Sequence, residues 1–292
     1  MTTTVNTAGS VPYPGQWRLA RVDMANWGTF NGFQSLPVDR RGLLITGPSG
    51  SGKSTVLDAV AAVLTPPTQL SLNAAASNGG QRDKGRSISN YVRGACGHSA
   101  DEEGEVVHTY LRPKAAVWSG VMLRYEDGFD IEQCSPSEAR RHEAINVLGI
   151  FFQKANTVNP EGLKKFFAVV RGDHALSEFE PYGLNEADMA QFNKDHKETG
   201  RAWRDHAAFE GYLCNILHIS SPKNTHPPAQ DASRQKTSES LDDLFRKYML
   251  DTPRTHALAT AAVANFKELE EATTAWSTNV GRRNAWNRSC VT

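Results

Sequence analysis

Much of what would assign this sequence to a specialised class is missing from it. Its 292 residues include only four cysteines, Cys96, Cys134, Cys214 and Cys290, far apart and without a CxxC pair. That spacing argues against a zinc site and a disulfide framework, and it fits a reducing, cytoplasmic compartment. None of the nine histidines falls in an HExxH or other metal spacing, so His98, His108, His206 and His218 read as ordinary surface or partly buried residues. No run approaches the ~18 consecutive apolar residues of a membrane span; the most apolar stretches are GLLIT and VLDAVAAVL. The opening MTTTVNTAGSVPYPGQW lacks the basic start and apolar core of a signal peptide and reads as a disordered lead over residues 1–16. Net charge is also lacking, with 32 basic and 32 acidic residues, so any nucleic-acid or membrane contact must be local. There is no GxSxG elbow for acyl transfer.

What is present begins at Trp17. RLARVDMANW predicts a first strand and its exit, and GLLIT (42–46) suits a short central strand. GPSGSGKSTVLDAVAAVL then turns abruptly to helical periodicity. Val56, Leu57, Val60, Val63 and Leu64 recur at three- and four-residue spacing, which predicts a helix from about Lys53 to Leu64, stopped by Pro66-Pro67. Residues 68–104 are rich in Asn, Gly, Ser and charge, with only ISNYV interrupting, and read as a loop excursion. VVHTYLRP and VWSGVMLRYEDG alternate as antiparallel strands, and residues 138–215 mix helical patterns with strand-like FFAVV. The expected organisation is an α/β domain over 17–219 with an antiparallel β portion, a polar linker over 220–238, a helical segment over 239–278 and an irregular tail over 279–292.

Gly47, Pro48, Ser49, Gly50, Ser51, Gly52, Lys53 and Ser54 fit GxxxxGK[ST], a pattern that arises by chance in about one chain in a hundred of this length. The motif's placement between an apolar run and a helix is the context it requires. Backbone N–H groups of such a loop surround phosphate oxygens while the helix presents its positive end. Lys53 is expected to reach the β- and γ-phosphates, Ser54 to coordinate Mg²⁺, and Thr55 to contact the α-phosphate. ATP with Mg²⁺ is the expected ligand. Hydrolysis needs more: a second acidic metal ligand, a water-orienting group and transition-state charge stabilisation. No apolar run ending in acid follows the loop, since VMLRYED is interrupted by Arg124 and LCNILHISS has no acid. Gly79-Gly80-Gln81 is only a fragment of an LSGGQ-like segment. Catalytic residues are therefore not assigned.

The stretch from Arg21 to Leu64 resembles the N-terminal half-head of SMC-type ATPases. The likeness rests on a strand leaving through Asn26-Trp27-Gly28-Thr29-Phe30, a short second strand into the loop, and Lys53-Ser54-Thr55-Val56-Leu57-Asp58-Ala59-Val60. NAAA (73–76), SNYVRGA (89–95), GEVVHTYLRP (104–113), WSGVMLRYEDG (118–128) and LDDLFRKYMLDTPRTHALA (241–259) look like the MukB/JetC type, the condensin-like ATPases of Wadjet plasmid defence. The resemblance implies a P-loop NTPase half-head leading toward a coiled coil. It also implies a C-terminal half-head or second SMC-like subunit that supplies the missing acids, and kleisin-like subunits and DNA as partners. On that reading the chain stops near the first coiled-coil helix. Gly28 and Ser49 depart from the repair branch, which often carries a basic residue and Asn there. Gln81 is a candidate for the family's metal-sensing glutamine, against the plain reading of a loop amide.

Three other features have two readings each. Arg82, Lys84, Arg86 and Arg93 near Tyr91 form either a solvated loop or a contact for DNA or nucleotide phosphates. Trp27 and Phe30 pack either in the core or near an adenine ring. Leu241, Leu244, Phe245, Tyr248 and Met249 form a core-facing stripe or a groove. The alternative for the whole chain is a self-contained P-loop kinase of small molecules, in which Arg82 to Arg93 would imitate a lid.

Overall fold

The computed structural model describes residues 16–219 apart from 41, 49, 71, 73–86, 101–105, 114, 129–134 and 158–161. It also describes residues 262–271, 273 and 276. The chain divides into two units, Met1–Ser238 and Glu239–Thr292.

The first unit is built on a sheet of strands β1 (Arg18–Ala25), β2 (Phe33–Pro37), β5 (Val117–Glu126), β6 (Ile145–Gln153), β7 (Leu163–Arg171) and β8 (Gly200–Trp203). Their order is β2-β1-β5-β6-β7-β8, with every neighbouring pair antiparallel. All nine residues of β6 are buried, as a central strand covered on both faces requires. Period-two alternation divides the apolar residues between two cores. Val121 and Leu123 of β5, Val147 and Phe151 of β6, and Phe167 and Val169 of β7 face one core. Trp118 and Met122, Leu148 and Ile150, and Phe166 and Ala168 face the other. Each such large side chain removed from water contributes about 1.5–3 kcal/mol.

Helices α1 (Lys53–Leu64), α2 (Ile88–Arg93) and α6 (His206–Leu217) supply Val56, Ala59, Val63, Ile88, Val92, Phe209 and Leu213 to the first core. On the second face lie the 3₁₀ turn Leu176–Phe179, α4 (Glu180–Leu184) and α5 (Met189–Asp195), with Leu176, Phe179 and Phe192 packed inward. Asp205 starts α6 by accepting from the N–H groups of Ala207 and Ala208 at 3.3 and 3.2 Å. Helix α1 approaches the sheet where β6 has glycine: a Cβ at Gly149 would lie 3.0 Å from Val63 Cγ2. The short α3 (Pro136–His142) precedes β6, and β3 (Ala95–Ala100) pairs with β4 (Val106–Tyr110) in a separate two-stranded sheet.

The α/β fold, its antiparallel sheet and the bounds of α1 are as the sequence predicts. Four expectations change. GLLIT is not a strand: past the single Asp39–Gly42 bridge, residues 43–47 pair with no strand among the described residues, and Leu44 is 86 % exposed. An apolar run becomes a strand only where a partner edge accepts its hydrogen bonds. The buried face of α1 runs through Asp58, Ala59 and Ala62, leaving Leu57 49 % exposed, because small side chains let the helix sit close to the sheet. VVHTYLRP and VWSGVMLRYEDG are antiparallel strands as expected, in different sheets, but the excursion after α1 contains β3 as well as α2. His206 is fully in the core, its Nε2 3.0 Å from the Val63 carbonyl and its ring edge-on to Phe167.

In the second unit, residues 262–271 are helical, with Val263, Phe266 and Leu269 exposed at three-residue spacing. The 220–238 linker and the stripe from Leu241 to Met249 lie outside the described residues.

Candidate nucleotide site

The loop and the first turn of α1 carry the residues expected at the site. Gly52 is the N-cap, at φ 89° in the left-handed region, where a side chain is strained. It also lies under Phe30: a Cβ there would sit 2.8 Å from Phe30 Cζ. No side chain caps the helix and no acid lies in its first turn; the first bond runs from the Val56 N–H to the Gly52 carbonyl at 3.2 Å. The N–H groups ahead of Val56 therefore have no intrahelical acceptor and form an anion-attracting end. Ser54 and Thr55 follow in that turn, half-buried.

Lys53 lies back over the loop, its Nζ donating to the carbonyls of Gly47 and Pro48 at 2.8 and 2.7 Å and meeting Ser51 Oγ at 3.5 Å. These acceptors hold the ammonium on the loop's own side, where an incoming oxyanion would replace neutral carbonyls with charge. Gly50 and Ser51 are exposed, and Ser49 lies outside the described residues. A small loop with a lysine, a hydroxyl and unpaired N–H groups suits phosphate and a hard, oxygen-seeking cation. Among the described residues, no group of three or more His, Cys, Asp or Glu side chains is placed to hold a metal unaided.

The strand exit braces this turn. Trp27, fully buried, donates from Nε1 to the Thr55 carbonyl at 3.1 Å and stacks on Tyr91 with ring centroids 5.0 Å apart. Its place is the core, the commoner of the two readings. Phe30 is partly buried against the same core. Gly28, at φ 56°, donates to the Tyr91 carbonyl at 2.9 Å, and a Cβ on it would meet Thr55 Cγ2 at 2.7 Å. The Tyr91 hydroxyl donates to Asp58 of α1. Arg112 closes the arrangement with bonds of 2.9 Å to the carbonyls of Asn26 and Gly28 and 3.0 Å to that of Val92.

Of the basic cluster, Arg82, Lys84 and Arg86 lie outside the described residues, as does Gln81. Arg93 is not a surface cation. It is wholly buried and donates to the carbonyls of Thr157 (3.1 Å), Arg112 (2.9 Å), Ala115 (2.5 Å) and Lys154. Burial lowers its pKa, and burial together with Arg93 lowers that of Arg112. Nothing in the sequence signals this, because the partners of Arg93 come from two later connectors, 19 to 64 residues further along the chain. Asp58 was open to notice as the one acid in an otherwise apolar helical run, but its partner on α2 was not.

Residues 19–79 match the family described as the P-loop containing region of AAA domain. This P-loop region spans β1, β2, the loop and α1, the elements that build the site. It is a nucleotide-binding region of an α/β P-loop NTPase fold. No curated protein matches the chain. One solved structure that does, from a study of the structural biochemistry of ATP-driven dimerization and DNA-stimulated activation of SMC ATPases, is 15 % identical. The match covers 58 % of this chain and 78 % of that one, at a TM-score of 0.25, a likeness too slight to bear on function. Among the described residues, no helix is long and apolar enough to cross a membrane.

Proposed function

We propose that the chain is the ATP-binding N-terminal half-head of an SMC-like ATPase of the MukB/JetC type, acting on DNA in the cytoplasm in plasmid defence or chromosome structuring. The observation that carries this reading is a phosphate loop whose approach, residues 43–47, pairs with no strand among the described residues. Leu43, Leu44 and Leu57, just before the loop and just after it, are 43, 86 and 49 % exposed. Apolar surface of this kind beside a functional loop is what a second polypeptide surface would cover. A C-terminal half-head, in this chain's partner or continuation, would pair residues 43–46 and bring the acids that activate water. Kleisin-like subunits complete the proposed assembly.

In this proposal the N–H groups of Gly50 to Thr55 receive the phosphates, Lys53 leaves the Gly47 and Pro48 carbonyls to meet the terminal phosphate oxygens, and the Ser54 hydroxyl ligates Mg²⁺. A cation held by the Ser54 hydroxyl would supply neutralisation of the phosphate charge. Thr55 is held for its contact by the Trp27 indole, which donates to its carbonyl.

Retention on immobilised ATP tests the site. Lys53→Ala removes a charge-assisted bond of about 1.5–3 kcal/mol, so affinity should fall roughly ten- to a hundredfold. Equal retention by the variant refutes the assignment, and brisk hydrolysis by the chain alone refutes the need for a second half.

A further inference from the structure

Asp58 is buried, 7 % exposed, in a helix whose other buried members are alanine, valine and leucine. A carboxylate in such a place needs hydrogen-bond partners, and the Tyr91 hydroxyl is one. Tyr91 is itself fixed twice, by its stack on Trp27 and by the Gly28 N–H bonded to its carbonyl. Trp27 in turn holds the Thr55 carbonyl. The acid is thus tied to the same frame that sets the first turn of α1. Residues 54 and 58 are four apart, so they share a helix face with Cβ atoms about 5–6 Å from each other. Helical side chains lean toward the N-terminus, so the side chain at position 58 covers the turn that carries Ser54.

We propose that Asp58 is an electrostatic selector for the cation-loaded triphosphate, and that Tyr91 is the residue that positions it. The inference rests on the reading of residues 47–55 as a nucleotide site. A negative charge one turn behind Ser54 attracts a divalent cation held by that hydroxyl, and it repels a triphosphate that arrives without one. Removing it must therefore change the two affinities unequally. A carboxylate acting only as scaffold would change both alike.

The test titrates the full 292-residue chain with a fluorescent ATP analogue, once with Mg²⁺ and once with EDTA. The quantity read is the ratio of the two dissociation constants. Asp58→Asn keeps the shape and is expected to lower the Mg²⁺ advantage about tenfold, with metal-free affinity unchanged or tighter. Tyr91→Phe keeps the stack on Trp27 and is expected to lower it a few-fold in the same direction, which preserves the test if the first variant fails to fold. An unchanged ratio, or a parallel loss in both conditions, overturns the inference. Failure of the wild-type chain to bind, or equal binding by Lys53→Ala, overturns the nucleotide site itself and is distinguishable from either result.

Discussion

Arg93 separates a reading by sequence neighbourhood from one by structure. As a member of a basic surface cluster it would contribute to DNA contact and little to stability. As a buried guanidinium donating to four main-chain carbonyls, it ties the end of α2 to the connectors before β5 and before β7. Arg93→Met replaces it with an apolar chain of similar length and leaves those carbonyls short of donors. Each bond from a charged group is worth about 1.5–3 kcal/mol when its partner is left unpaired, but the carbonyls share one group and relax together. A net loss of about 3–5 kcal/mol follows, in keeping with buried charge networks. Arg93→Lys keeps the charge but cannot span the same fork, and about 2 kcal/mol is expected. Urea unfolding followed by tryptophan fluorescence reads this as a midpoint lowered by about 1–2 M for the methionine variant. A loss below about 0.5 kcal/mol, accompanied by weaker DNA retention, would refute the structural role and restore the surface one.

Two further outcomes follow from the same packing. Gly28→Ala puts a Cβ 2.7 Å from Thr55 Cγ2 at a left-handed φ, so a loss of about 2–3 kcal/mol is expected by thermal melting; Thr55→Ser in the same chain should return only the steric part. A double variant no better than the single would show that the clash does not matter. His196 is held below its usual 6.5 by burial and by neighbouring His174, so its contribution to stability is complete above that value and is lost as pH falls through the lowered folded one. The melting temperature should drop between about pH 7 and pH 5, and His196→Gln should flatten part of that drop; an identical profile would remove His196 as the cause.

The sequence alone determined what depends on near neighbours. The strand at 18–25, the helix at 53–64 and the loop between Gly47 and Ser54 follow from periodicity, from glycine placement and from the stop at Pro66-Pro67, all of which act within a few residues. It could not determine what depends on partners distant in the chain. GLLIT has the composition of a strand, yet residues 43–47 find no partner edge among the described residues, and strand formation is a property of a pair. Arg93 falls in sequence with the cations Arg82, Lys84 and Arg86, yet it is buried and bonded to four carbonyls from residues 112 to 157. The P-loop from Gly47 to Ser54 was therefore legible in the sequence. What stands behind it was decided only by the tertiary structure, in which Trp27, Tyr91 and Asp58 converge from three separate elements on one turn of helix.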